Sequence, residues 1–381
     1  MPNMRLTLLT EPTLSLGLGM ALRGIAGPPG VVLNYFGFGV FTKADASTVA
    51  FTKTGANTAT LKGGTYIDVV GTPLTFAADT AITMPTLVAG TDYAIYACTD
   101  GTVRADAGTS APTGYTTANS RKIGGFHYGL VTSGTTVAGG SFATTGSGMI
   151  WTQTDVDNIA GINKFSFWDL KFRPSCDPRG MSLQPGGFWA DLYFCSTDVD
   201  ANGTSKAGTN VASGSVLPKI PLAFGGNGST TYGNLTWWVA NELAASQGKG
   251  LMTEAEFVQA AYGVTENQSL GGASTTIAAT LRQPGYTSKR GLEQATGHHY
   301  TWGMDSNFRS DGTGSWQWVN NNGGRGQMYL NNTVALVRVL LGGSRVNGSD
   351  SGSRASDWDI DPWNSVWNLG LRARGDHLVL A

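Results

Sequence analysis

Charge is what this sequence has least of. Only 13% of its 381 residues are Asp, Glu, Lys or Arg, roughly half the usual ~25%. Few Lys and Glu leave few charged helix faces, which argues against a chain built mainly of surface helices. Basic and acidic residues nearly cancel, 25 against 26. With no basic tail, the electrostatic footprint of a nucleic-acid or anionic-membrane binder is missing. Cysteine is scarce. Cys98, Cys176 and Cys195 are widely spaced, form no metal motif and allow at most one disulfide. Long apolar runs are also missing, none reaching the ~18 residues of a membrane span. Leu6, Leu8 and Leu9 meet Glu11 and Pro12 before the apolar core of a secretory leader can form. These absences together suit a chain made in a cytoplasm and carried outside within an assembled particle.

What is abundant is glycine, 54 residues, about double the average ~7%. Hydrophobic residues still reach 41%, too many for a disordered chain. Gly with Thr, Ser, Ala and Val predicts short strands and tight turns. The expected fold class is mainly β with a C-terminal α+β domain, and the length suits two or three domains.

Residues 1–48 are too small and too open to fold alone. Leu14, Leu16, Leu18 and Met20 alternate with Ser15, Gly17 and Gly19, predicting a strand with one apolar face. Gly27-Pro28-Pro29-Gly30 breaks the chain, and Val31 to Phe38 reads as a second strand. A face this small needs a partner, and copies of itself are the favoured one. Residues 49–170 read as a β-sandwich of short strands, among them Thr65–Val70, Leu87–Val88, Asp92–Cys98 and Ile123–Val131. Asp100-Gly101 marks a hairpin between Tyr93–Cys98 and Val103–Ala105. His127 falls within a strand pattern and is expected to be packed.

Residues 171–381 change character, holding nine of the eleven tryptophans. Thr236–Ser246 predicts a helix ending at Gly248. Thr253-Glu254-Ala255-Glu256 is a capping box opening a second helix, with Phe257, Ala260 and Ala261 on one face and Gly263 as its stop. The stretch from Arg338 to Arg372 then organises the rest. An apolar strand, Val334–Leu341, breaks at Gly342-Gly343, and about thirty residues follow without sustained period. Trp358, Trp363 and Trp367 lie there among Asp, Asn and Ser. Ordered loops of this length are usually functional, and this mixture resembles a paratope. The competing reading is a surface loop whose tryptophans turn inward. Smaller signals carry less. Asp198 to Gly203 matches half of a calcium loop but has Thr209 at the twelfth position, so a polar turn is expected. His298-His299 would point oppositely on an extended segment and lack a third ligand.

The segment TWWVANELAASQGKGLMTEAEFVQAAYG (236–263) resembles the helical signature of the formylglycine-generating-enzyme family. Gly291-Leu292 with Gly297-His298-His299-Tyr300-Thr301-Trp302 is similar to its Gly-Leu…Gly-Asn-Val-Trp-Glu-Trp block. Arg338 to Ser344, Arg354 and Gly370-Leu371-Arg372 resemble its closing strands. The resemblance implies a C-type-lectin-like fold for 171–381. The active enzymes carry a cysteine pair in the last block, whereas this chain has no cysteine after Cys195, so a thiolate nucleophile there is excluded.

The same closing block resembles that of the retroelement-diversified phage tropism determinants. That family implies an N-terminal β-prism shared in a homotrimer, then a β-sandwich, then a C-type-lectin-like domain. It implies a protein of the distal tail fibre in the virion, contacting other tail-fibre proteins. Its partner is a bacterial outer-surface protein, pertactin being the receptor associated with the family. No catalytic residue, cofactor, metal, nucleic acid or membrane insertion is implied. The implied fixed frame is Gly342-Gly343, Gly352-Ser353-Arg354-Ala355, Trp358, Pro362 and Gly370. The implied variable, receptor-binding positions are Ser344, Val346, Asn347, Gly348, Asp350, Asp357, Asp359, Ile360, Asn364, Val366, Asn368 and Leu369. A degenerate or active formylglycine-type oxidase and a calcium-dependent sugar lectin are the alternatives, though no Glu-Pro-Asn cluster supports the lectin.

Overall fold

The computed structural model describes residues 40–108, 110–134, 151–271, 279–308, 317–319, 326–330 and 336–380. It also gives the backbone of two short strands, Leu14–Leu16 and Met20–Leu22. These two correct the single strand expected over 14–20. They pair antiparallel, with Leu14 opposite Leu22 and Leu16 opposite Met20. The strand expected over 31–38 lies outside the described residues.

Two sheets form the β-sandwich. In the larger, strands run in the order Phe51–Gly55, Thr58–Leu61, Thr80–Thr83, Val103–Asp106, Thr91–Cys98 and Ser120–Tyr128. The smaller has Phe41–Thr42, Thr65–Val69 and Thr72–Phe76. Phe41, Ile67, Val69 and Phe76 from the small sheet share one core with Phe51, Leu61, Ile95, Ile123 and Phe126 from the large one. Alternating side chains facing inward from both sheets give this arrangement its stability. Since Phe41–Thr42 pairs with Thr65–Val69, the sandwich begins before residue 49. The hairpin at Asp100-Gly101 forms as expected. Gly101 has φ 82°, and the Asp100 carboxylate accepts from the Thr102 backbone N–H at 3.0 Å. Leu87–Val88 is not a strand, a correction with a local cause. The Val88 N–H donates to the Tyr93 hydroxyl instead of a neighbouring strand, and Val88 is exposed.

The large sheet continues past residue 170. Ser120–Tyr128 pairs with Trp168–Asp169, which turns back into Phe172–Pro174. That strand pairs with the last one, Ala373–Val379, which also pairs with Phe188–Asp191. Both ends of the C-terminal domain are thus stitched to the sandwich. Asp169 lies fully buried at the seam. It accepts from Lys43 Nζ and from the backbone N–H of Ala50, each at 2.8 Å. A second polar chain crosses nearby: Asp92 Oδ1 to His127 Nδ1 at 2.8 Å, then His127 Nε2 to the Tyr193 hydroxyl at 2.9 Å. His127 is buried and packed, as its strand pattern indicated.

The C-terminal domain has its own six-stranded sheet, in which Leu336–Leu341 lies between Tyr300–Phe308 and the short Ser356–Asp357 strand. Helices Trp237–Ala245 and Glu254–Ala260 pack against it. Thr236 caps the first, and the Thr253–Glu256 capping box opens the second. Trp302, Leu340, Leu243 and Leu371 fill one core; Phe257, Val339, Leu341 and Leu292 fill another. No helix among the described residues is long and apolar enough to cross a membrane.

Candidate functional site

The loop from 342 to 368 leaves the inner strand of that sheet through two left-handed glycines, Gly342 (φ 89°) and Gly343 (φ 76°). Side chains there are barred twice over. A Cβ on Gly342 would meet Phe257 at 2.8 Å, and one on Gly343 would meet Ser351 at 2.4 Å. Beyond them the loop has almost no regular structure, yet its backbone is tied down along its length. Arg345 N–H donates to His298 O (3.2 Å), and Arg345 O accepts from the Ser269 hydroxyl (2.7 Å). Ser353 N–H donates to Glu266 (2.8 Å), and Trp358 N–H to Tyr329 O (3.1 Å). The carbonyls of Ile360, Pro362, Val366 and Asn368 accept from Arg338, Trp237, Gly214 and Tyr300. A buried backbone group needs a partner, and here nearly all these partners belong to the surrounding frame.

The structure brings six polar residues close together. The Ser344 hydroxyl donates to Asn347 Oδ1 (2.6 Å), and Asn368 Nδ2 donates to the Ser344 oxygen (3.3 Å). The Tyr300 hydroxyl, from the neighbouring strand, lies beside Asn347 and Asp357. Asp357 in turn accepts from the Asp359 backbone N–H (3.1 Å). Burial first, and the Asp359 carboxylate next, push the Asp357 carboxyl above its ordinary range. Burial does the same for Asp359, one of whose oxygens is shielded without a hydrogen-bond partner among the described residues.

Of the twelve positions expected to vary, Ser344, Asp357 and Leu369 are buried, so their side chains face the loop's interior. Ser344 is held by Asn347, Asp357 lies on a three-way strand pairing, and Leu369 lies in the core with Tyr300 and Trp302. Val346, Gly348 and Val366 are exposed; Asn347, Asp350, Asp359, Ile360, Asn364 and Asn368 are half-buried. Asp350 is gripped by Gln327 from outside the loop.

Of the loop tryptophans, which the sequence leaves open between contact and inward packing, one is the most exposed aromatic side chain among the described residues. Trp363 is 69% exposed, and it stacks at a tilt on Trp238, itself 44% exposed, with 5.8 Å between ring centroids. Trp238 belongs to the helix, not to the loop. Behind it Trp237 is buried, edge-on to Trp238, with the Arg338 guanidinium 3.8 Å from its ring. The tandem Trp237-Trp238 was the available signal, because neighbouring helix positions cannot both face one core.

The smaller signals resolve by geometry. Asp198 caps a short helix, Val199–Asn202, and pairs with Lys219 at 2.6 Å, a polar turn as expected. His298 and His299 do not point apart. Their Nδ1 atoms are 2.8 Å apart, because His298 bridges to Ser344 and leaves the regular strand to start at Tyr300. Burial holds both rings neutral, His299 down to about 4. Among the described residues no group of three His, Cys, Asp or Glu is arranged to hold a metal ion. Cys98, Cys176 and Cys195 are unpaired thiols.

A β-sandwich joined to a C-type-lectin-like domain, with a long tethered loop presented from its closing strands, defines a recognition protein. Comparison narrows the class. Residues 49–153 match the domain family described as Mtd second domain. The chain is 44% identical over 347 residues to the tail fiber receptor-binding protein of Bordetella phage BPP-1, covering 89% of this chain and 85% of that one. The solved Major Tropism Determinant M1 variant superposes with a TM-score of 0.75 at 43% identity, covering 90% of this chain and 87% of that one. The U1 variant gives 0.74 at 44%, covering 89% and 86%. The chain belongs to the major tropism determinant family.

Proposed function

We infer that this chain is a phage tail-fibre receptor-binding protein that recognises a bacterial surface protein through the 344–369 segment and thereby sets host tropism. The observation that carries this reading is the separation of tether from display. Frame groups hold the loop's backbone, while Val346, Gly348, Trp363 and Val366 face outward. Side chains that do not hold the loop can be exchanged without unfolding it. Pre-ordering the backbone also lowers the entropy lost on binding.

The outward and half-buried positions are fewer than the 20–30 residues a partner usually contributes to a standard interface. Avidity would compensate. A homotrimer built through residues 1–48, carried in several copies at the distal end of the virion's tail fibres, multiplies weak contacts through effective concentration. The partner class is an outer-surface protein of the pertactin kind. The test is a graft. Replacing residues 344–369 with the matching segment of the Bordetella phage relative is expected to confer binding to purified pertactin ectodomain, with melting unchanged. A folded graft that fails to bind sinks the reading. Light scattering on the full chain and on residues 40–381 tests the trimer, which truncation is expected to reduce to monomer.

A further inference from the structure

The seam between sandwich and C-terminal domain encloses a cavity of about 420 Å³, within the size range of small-ligand pockets. Both units build its wall. Asp92 and Lys122 come from the large sheet, Trp168 from the short strand that follows, and Arg173, Asp177 and Arg179 from the C-terminal domain. The carboxylates are already engaged. Asp177 pairs with Arg179 at 2.6 Å. Asp92 accepts from Gly180 N–H at 2.9 Å and bonds to His127.

Lys122 and Arg173 are left over. Among the described residues neither the Lys122 ammonium nor the Arg173 guanidinium has a hydrogen-bond or ion-pair partner, and the Arg173 Nε–H is shielded from solvent as well. Burial, and then the nearby Arg179, hold Lys122 below the ordinary lysine value, with Asp177 pulling weakly the other way. Lys122, crowded by Arg179, and Arg173, whose Nε–H is shielded, lose hydration without gaining a directly bonded counter-charge. An anion placed between them would restore both.

We propose that this cavity binds a phosphate group, free or carried on a small molecule, between Lys122 and Arg173. The guanidinium offers two parallel N–H bonds to phosphate oxygens and the ammonium a point charge. Trp168 supplies the adjoining apolar wall, against which a sugar ring carrying the phosphate can rest. Because the two cations come from different units, the bound anion would clamp sandwich to C-terminal domain. The site is separate from the receptor loop and goes beyond the reading above.

The experiment is calorimetry on the full chain with inorganic phosphate, glucose 6-phosphate and glucose, at ionic strength fixed with sodium chloride. Saturable binding of the phosphate probes at one site per chain is expected, with none of glucose. A tighter fit for glucose 6-phosphate identifies a phosphorylated sugar; equal affinity identifies phosphate alone. Lys122→Met and Arg173→Met are each expected to weaken binding about tenfold, the size of one lost charge-assisted bond. Lys62→Met, outside the cavity, should leave binding intact. If Arg173→Met does not fold, Arg173→Lys, which keeps the charge and loses the fork, takes its place with the same expected direction. No saturable phosphate binding, or binding indifferent to both Lys122 and Arg173, overturns the proposal.

Discussion

The paired strands Thr91–Cys98 and Ser120–Tyr128 and the loop 342–368 solve one problem in opposite ways. In the strands, backbone groups bond to each other from Cys98–Ser120 through Thr91–Tyr128. Their side chains, Ile95, Ala97, Ile123 and Phe126, are buried and make the core. Sequence is therefore constrained wherever a side chain faces inward. In the loop the backbone bonds outward to His298, Glu266, Tyr329, Trp237 and Gly214 as well as in short turns of its own, and many side chains are left without a structural task. The lesson is that order and sequence freedom coexist when the surrounding frame supplies the bonds.

The comparison breaks most visibly if the frame is cut. Arg372 is fully buried and donates to Asp191 O at 3.0 Å and Glu293 O at 2.6 Å. Arg372→Met is expected to cost about 3 kcal/mol, since two carbonyls and nearby carboxylates lose their cation. The urea midpoint measures it. Next comes Tyr300→Phe, which removes the buried hydroxyl beside Asn347 and Asp357. A loss of about 1–3 kcal/mol is expected, seen as a lower Tm.

Proton linkage gives a smaller, graded effect. Burial raises Glu293 to about 7 and raises Asp357 too. Groups raised in the fold contribute stability that is complete below their unfolded values and is lost as pH rises through the folded ones. His298 and His299 are depressed, so their contribution holds above the ordinary ~6.5 and is lost as pH falls toward about 4. The two slopes oppose each other between about pH 4 and 6.5, so stability should be greatest on the acidic side of neutrality and fall as pH rises through about 7. Asp357→Asn should flatten only the alkaline limb, as read from melting temperature against pH. The smallest stability effect belongs to Trp363→Ala, within about 0.5 kcal/mol because the side chain is mostly exposed. The same variant should lose cell adsorption, since exposed Trp anchors carry interface energy.

Local chemistry made much of this legible in advance. Asp100-Gly101 and the Thr253–Glu256 box each act within four residues, so a short window contains their whole cause. The glycines at 342 and 343 likewise marked where the loop leaves the sheet. What the chain order concealed was long-range pairing. Trp238 meets Trp363 across 125 positions, and Tyr300 lies beside Asn347 and Asp357 of the loop, which carry no mark of it. The same limit explains His298-His299, where a bridge to Ser344 turns the rings together, whereas at Leu87–Val88 a nearby hydroxyl takes the N–H a strand would use. Burial of Ser344, Asp357 and Leu369 follows from pairings that a list of exchangeable positions does not encode.

The central claim is that the frame, not the displayed side chains, orders the loop. Amide hydrogen exchange over 342–368 tests it most directly, comparing this chain with a variant carrying Val346→Ala, Trp363→Ala and Val366→Ala. Equal protection of Arg345, Ser353, Ser356 and Trp358 in the two proteins is the predicted result. Protection that collapses in the variant would show that the displayed side chains hold the loop themselves, and would contradict the account.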